Sequence, residues 1–228
     1  VFGNAAQDLI IVPGIVSHIE LSHEMPGYSS FINELAKFFR VITFDKRGNG
    51  MSGKIDKPAT LEQRMDDLRL IMESVESRKA IIFGFSEGGS LSALFSAMYP
   101  DRVDRLIIFG GFAHVPDLDF SNKVPAFFRK IAIDFFLRRR TRRYEITWGN
   151  GDFAKTALPP RTIVDGNLRT KLQKFESLSS SPEKIGEMMY LTALLDIRPF
   201  LKDVQCPTLI LHCRDDNRVP FDWACELK

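Results

Sequence analysis

Short apolar runs alternate along the chain with longer stretches in which apolar side chains recur every three or four positions. The runs are Leu9 to Val12, Arg40 to Phe44, Ala80 to Phe83, Arg105 to Phe109 and Thr208 to His212. Continuous apolar runs bounded by turn residues suit strands buried on both faces by crossover helices, so they predict a parallel sheet. The stretch Ser29 to Phe39, with Phe31, Leu35, Phe38 and Phe39, predicts a helix half-buried against that sheet. Leu61 to Val75, with Met65, Leu68, Met72 and Val75, predicts another. Such stripes first of all serve packing. The fold class is α/β.

From about residue 111 to residue 203 the rhythm breaks into polar, proline-punctuated helical stretches without a run that suits a central strand. This predicts a helical cap over residues 111–203, inserted into a core made of residues 1–110 and 204–228. Within the cap, Arg138, Arg139, Arg140, Arg142 and Arg143 encircle their helix at helical spacing, which reads as solvated surface, with anion binding as the alternative. Trp148-Gly149-Asn150-Gly151 predicts a turn between cap helices, and Ser177 to Pro182 a loop ending in a helix start. Phe112, Phe120, Phe127, Phe128 and Trp148 face either a pocket or the sheet.

Composition narrows the classes. With 228 residues, 44% hydrophobic and 26% charged, the chain suits one large globular α/β domain or two small ones. No stretch approaches the ~20 apolar residues of a membrane span, so no membrane partner is expected. Lys and Arg number 31 against 29 Asp and Glu, a net +2 that argues against nucleic acid as a partner. Cys206, Cys213 and Cys225 match neither a zinc site nor a disulfide framework, which suits a reducing cytosol. No secretory signal is visible, so the expected location is cytoplasmic. No cofactor or metal is expected. The chain opens on Val1, and residues are expected to precede it.

Chemistry enters at Gly84-Phe85-Ser86-Glu87-Gly88-Gly89, directly after the third apolar run and before an apolar helical stretch from Leu91 to Tyr99. G-x-S-x-G between strand and helix predicts a sharp turn that strains the serine backbone, presents Ser86 Oγ and needs glycines for close approach. Ser86 then stands at a helix N-terminus, where unpaired N–H groups favour negative charge, and the N–H of Glu87 faces an oxyanion. The bland alternative is a tight turn without chemistry. A second oxyanion donor comes from the loop after an earlier strand, here Pro13-Gly14-Ile15. The N–H of Ile15 is the first candidate and that of Gly14 the fallback, against an ordinary Pro-Gly turn. His18, Glu20 and His23 follow on the same loop and read as structural or pocket-rim groups.

A serine hydroxyl needs a base oriented by a carboxylate, in the chain order Ser, acid, His. The acid is expected just past Thr208 to His212, where Asp216 is favoured over Asp215; the alternative is turn chemistry, which Asp-Asp-Asn also suits. All four histidines, His18, His23, His114 and His212, precede Asp216, so none stands where the base is expected. Phe221 to Lys228 reads as the opening of a helix. The base is therefore expected beyond Lys228, on a fragment truncated at both ends, with a degenerate domain lacking the base as the alternative.

On these motifs the sequence resembles the α/β-hydrolase superfamily over nearly its whole length. Phe44-Asp45-Lys46-Arg47-Gly48-Asn49-Gly50-Met51-Ser52 resembles that family's FDxRGxGxS turn. More narrowly, Val12 to Glu20, that turn, Thr60 to Arg69 and Phe85 to Phe95 are similar to hydrolase-like domains of bacterial cyclase-linked and regulatory proteins. The resemblance implies an α/β-hydrolase fold, a histidine in a later loop and strands before Val1. Where the superfamily often has His-Gly in the oxyanion loop, this chain has Pro13-Gly14.

The expected function is a serine hydrolase that cleaves an ester or related small acyl substrate through an acyl-enzyme, the cap shaping a mainly apolar pocket. Without the histidine the 228 residues are expected to turn over poorly. The rival is a ligand-sensing or regulatory module coupled to a fused effector domain, and a purely structural domain is the bland third reading. Neither substrate identity nor oligomeric state is legible.

Overall fold

A computed structural model describes residues 1–116, 126–158 and 162–228, apart from the side chains of Ala126 and Arg129; Phe120 lies outside the described residues. Five strands, β1 (Asp8–Val12), β2 (Arg40–Thr43), β3 (Ala80–Phe85), β4 (Val103–Phe109) and β5 (Thr208–Leu211), form one sheet in the order β2-β1-β3-β4-β5. Every neighbouring pair is parallel, and the register sets Ile10 between Ile42 and Ile82, then Ile82 opposite Leu106. The five apolar runs are these strands, with ends moved by one or two residues.

Because successive strand side chains point to opposite faces, each run divides its apolar residues between two layers. Ile10, Val12, Ile42, Ile82, Leu106 and Ile108 face a core closed by Met65, Leu68 and Met72 of α3 (Leu61–Ser74) and by Leu91, Leu94 and Phe95 of α4 (Glu87–Met98). Leu9, Ile11, Val41, Ile81 and Phe83 face the other side, with Ile32 of α2 (Tyr28–Leu35). A short α1 (Ile19–Ser22) precedes α2. Each fully buried Leu or Ile contributes roughly 1.5–3 kcal/mol to this packing. Thr60 starts α3 with a capping box, accepting from the Gln63 N–H while the Gln63 side chain accepts from the N–H of Thr60.

Four expectations need correction. Helix α2 stops at Leu35 rather than Phe39, because the last turn tightens and the carbonyl of Leu35 receives the N–H groups of both Phe38 and Phe39. Helix α4 begins at Glu87 rather than Leu91, which sets Ser86, as expected, at its N-terminus. Strand β5 is not buried on both faces: Leu209 is 51% exposed and Leu211 40%, because β5 has a strand neighbour on one side only. Ser177 to Pro182 is a loop only at Ser180 and Ser181: helix continues to Ser179, Ser180 is extended, and Ser181 caps the expected helix start at Pro182.

Between β4 and β5 the described residues contain α5 (Ala126–Thr147), α6 (Asp152–Lys155), α7 (Gly166–Ser179), α8 (Pro182–Ala193) and α9 (Arg198–Leu201), and no strand; α10 (Phe221–Cys225) follows β5. Within this insertion α5 packs on α8 and α6 on α7. Residues 148–151 form the expected turn, held by Glu176, whose buried carboxylate accepts the N–H groups of Gly149, Gly151 and Ala154. Arg138, Arg139, Arg140, Arg142 and Arg143 of α5 are exposed. Phe112 is buried in the sheet core, Phe127 and Phe128 are exposed, and Trp148 is half-buried with its indole N–H on the Ser180 carbonyl.

Candidate active site

The sheet carries its chemistry at the ends where β1, β3, β4 and β5 stop. At the end of β3 the chain reverses into α4 through Ser86, with φ 52° and ψ −125°; Glu76 is the one other described non-glycine residue with positive φ. An L-residue held there stores about 1–3 kcal/mol of backbone strain, so the surroundings must over-determine it. The three glycines of the motif do so by absence. A Cβ on Gly84 would come closer than 3.0 Å to the Gly88 carbonyl and Ser92 Oγ, one on Gly88 to the carbonyls of Val12 and Pro13, and one on Gly89 to Ile108. The turn is locked by two hydrogen bonds: Ser86 N–H to the Phe109 carbonyl at 2.8 Å and Gly89 N–H to the Ser86 carbonyl at 2.9 Å. Ser86 is half-buried, and its hydroxyl has no hydrogen-bond partner among the described residues.

The loop leaving β1 lies against this turn. A Cβ on Gly14 would stand 3.6 Å from Ser86 Cβ and 3.5 Å from the Phe85 carbonyl, ordinary contact. Pro13-Gly14-Ile15 is thus beside the serine. The N–H groups of Gly14, Ile15 and Glu87 engage no acceptor among the described residues. Unpaired N–H groups at a helix start and an adjoining loop can receive a negative oxygen.

Asp216 follows β5 in the expected loop. Its Oδ1 accepts the N–H groups of Arg218 at 2.7 Å and Val219 at 2.9 Å, so one oxygen does the turn chemistry. The other looks back toward the sheet: a Cβ on Gly110 would lie 3.7 Å from Oδ2. Gly110 directly follows Phe109, which receives the Ser86 N–H, so the end of β4 joins the serine and acid sides of the site. Asp215 is exposed and makes no such bonds among the described residues. Arg218 lies over the rings of Phe153, at 4.2 Å to the centroid, and Tyr144, pinning the acid loop to the insertion. Its burial pushes the guanidinium pKa down. Sequence reading passed over Arg218.

The histidines are engaged elsewhere. His18 Nδ1 caps α1, accepting the Leu21 N–H, and His23 meets Ser29 Oγ at 3.0 Å. His114 sits beside the Glu226 carboxylate. His212 comes within 3.9 Å of Asp216 Oδ2, but its Nε2 is 2.7 Å from the Val219 carbonyl, to which a ring N–H donates. None of the four contacts Ser86 among the described residues.

Directly after the serine, the Glu87 side chain is only 2% exposed. Its carboxylate receives Lys46 Nζ at 2.5 Å, Arg64 Nη1 at 2.5 Å and the Thr192 hydroxyl of α8 at 2.7 Å. Burial pushes this carboxyl up, but Lys46 and then Arg64 overcome it, holding the pKa at about 2. Burial also drives the Lys46 ammonium down, with Glu87 opposing. Sequence reading assigned a role only to the main-chain N–H of Glu87. No group of His, Cys, Asp or Glu among the described residues is arranged to hold a metal ion. Among those residues no helix is long and apolar enough to cross a membrane.

A model of the alpha/beta hydrolase fold family matches residues 9–222, which include the Ser86 turn, the Pro13-Gly14-Ile15 loop and the loop of Asp216. The chain belongs to this family. It is 29% identical over 214 residues to AB hydrolase superfamily protein YisY of Bacillus subtilis (strain 168), an alignment covering 91% of this chain and 75% of YisY. It is 28% identical over 222 residues to Serine hydrolase BPHL of Homo sapiens, covering 96% of this chain and 66% of BPHL. Its fold is similar to that of the meta-cleavage product hydrolase CumD from Pseudomonas fluorescens IP01, with a TM-score of 0.71 at 21% identity over 99% of this chain and 79% of CumD.

Proposed function

We propose that this hydrolase cleaves an ester or related small acyl substrate through an acyl-enzyme. Ser86 Oγ attacks the carbonyl carbon while a histidine takes its proton. The N–H groups of Glu87 and Ile15, with Gly14 as the alternative, receive the oxyanion. The leaving group departs with the proton, and water then releases the acyl group by the same route. Asp216 Oδ2 orients the histidine, leaving Oδ1 to fix the loop. Residues 111–203 act as a cap over the substrate. The carrying observation is the strained, unengaged Ser86 beside free main-chain N–H groups. The name of the BPHL relative agrees with a serine nucleophile.

The histidine is proposed to lie outside these 228 residues, on an element packed against β5. The half-exposed apolar side chains of Leu209 and Leu211, on a strand with one neighbour, support that placement. The three free cysteines support a cytoplasmic location. The test is hydrolysis of p-nitrophenyl butyrate by the intact natural polypeptide, with Ser86→Ala expected to fall to background. Turnover unchanged by that substitution would refute the assignment. We keep as a second reading a module that senses a ligand for a fused effector, which follows only from the resemblance noted for four segments of the sequence. A ligand that binds without changing any output of the intact polypeptide would remove it.

A further inference from the structure

On the far side of Glu87 from the serine turn lies a cavity of about 580 Å³, walled by the turn after β2, by α3, by the start of α4 and by α8. That volume lies in the usual range of small-molecule sites. Glu87 lines it and Ser86 does not. Most of the wall is apolar, including Val12, Phe44, Met65, Leu68, Leu91 and Met188. Among its polar residues, Lys46 and Arg64, with side chains only 12% and 14% exposed, share the single carboxylate of Glu87.

Two largely buried cations share one carboxylate at that wall, an arrangement that favours a further anion or polar partner. Each also keeps N–H groups to spare. Lys46 donates to Glu87 alone, and Arg64 uses Nη1 for Glu87 and Nε for the Ala59 carbonyl. The wall as a whole carries five cations, Lys46, Arg47, Lys54, Arg64 and Lys184, against three carboxylates, Asp45, Asp67 and Glu87, so positive charge stays in excess. Asp67 pairs with Arg47, while Asp45 Oδ2 accepts the N–H groups of Ile19 and Met51 and its Oδ1 is shut away from the surface. Lys184 of α8 adds a half-buried cation on the same wall, with no ion-pair partner among the described residues.

We propose that this cavity is a binding site for a small amphipathic carboxylate, its head on Lys46 and Arg64 and its apolar chain among Met65, Leu68, Leu91 and Met188. An ionised head accepts charge-assisted hydrogen bonds from both cations, and the chain covers apolar wall. The site is separate from the proposed catalysis and does not depend on it. Its occupant shares Lys46 and Arg64 with Glu87, which also holds Thr192 of the insertion and directly follows the serine.

The test is calorimetric titration of the purified protein with sodium octanoate, octan-1-ol and octylammonium chloride. Octanoate is expected to bind saturably at one site, and the alcohol and the amine at least about tenfold more weakly. Arg64→Gln leaves Glu87 paired with Lys46 and Thr192, and is expected to weaken octanoate about tenfold or more. Met188→Trp is expected to weaken it by filling the cavity. Lys184→Glu, which leaves the buried cluster untouched, is expected to weaken it even if the Arg64 variant proves unfolded by circular dichroism. Ser86→Ala is expected to bind octanoate as the parent does, whatever its effect on hydrolysis. No octanoate binding, equal binding of the alcohol, unchanged affinity in folded charge variants, or loss of binding in Ser86→Ala would each overturn the proposal.

Discussion

The serine turn and the acid loop both sit at strand ends, but different physics holds them. The turn lies at the centre of the sheet, after a strand buried nearly throughout, and sterics fix it: three glycines leave no room for a Cβ. The acid loop lies at the edge, after a half-exposed strand, and two hydrogen bonds to one carboxylate oxygen fix it. A central site resists distortion because backbone and core side chains crowd it closely. An edge site depends on a few local bonds and on neighbours such as Arg218 against Phe153.

Substitutions at the two places should differ accordingly. Gly88→Val forces side-chain atoms into the carbonyls of Val12 and Pro13 and is expected to cost more than about 4 kcal/mol, read as loss of the folded state in thermal unfolding. At the edge, Asp215→Ala, which removes an exposed side chain without a hydrogen bond among the described residues, is expected to change stability by no more than about 0.5 kcal/mol. Equal effects would erase the contrast. Next in size, Glu87→Ala strands Lys46 and Arg64 in the interior and is expected to cost about 3–5 kcal/mol in urea unfolding. Asp216→Asn keeps an oxygen for the Arg218 and Val219 N–H groups, so folding should hardly change while hydrolysis falls by about 10²–10⁴. A large loss of stability with intact activity would make Asp216 a turn residue only.

The same cluster also sets the acid stability. Because the folded pKa of Glu87 is depressed from 4.5 to about 2, its contribution is fully present above pH 4.5 and lost as pH falls through 2. The urea midpoint should therefore decline over that window more steeply in the parent than in Glu87→Gln. Identical profiles would mean that Glu87 is not held ionised by Lys46 and Arg64.

The strands and the serine turn were legible because their causes are local: buried parallel strands are continuous apolar runs, and the glycines act within five residues of Ser86. The Glu87 cluster was not. Its partners Arg64, Lys46 and Thr192 lie 23, 41 and 105 residues away in sequence, and only the fold brings them together. Glu176 is similar, reaching main-chain N–H groups 22 to 27 residues back. The acid loop was half legible: Asp216 reads as either catalytic or turn-forming, and in the structure its two oxygens face different ways.

The central claim is that Ser86 is an activated nucleophile. Its most direct test is treatment of the intact natural polypeptide with a fluorophosphonate, followed by mass mapping of the peptide that contains Ser86. The expected result is one stoichiometric adduct on Ser86, absent from Ser86→Ala and slowed in Asp216→Asn. An unlabelled protein, or an adduct on another serine with Ser86 untouched, would contradict the account.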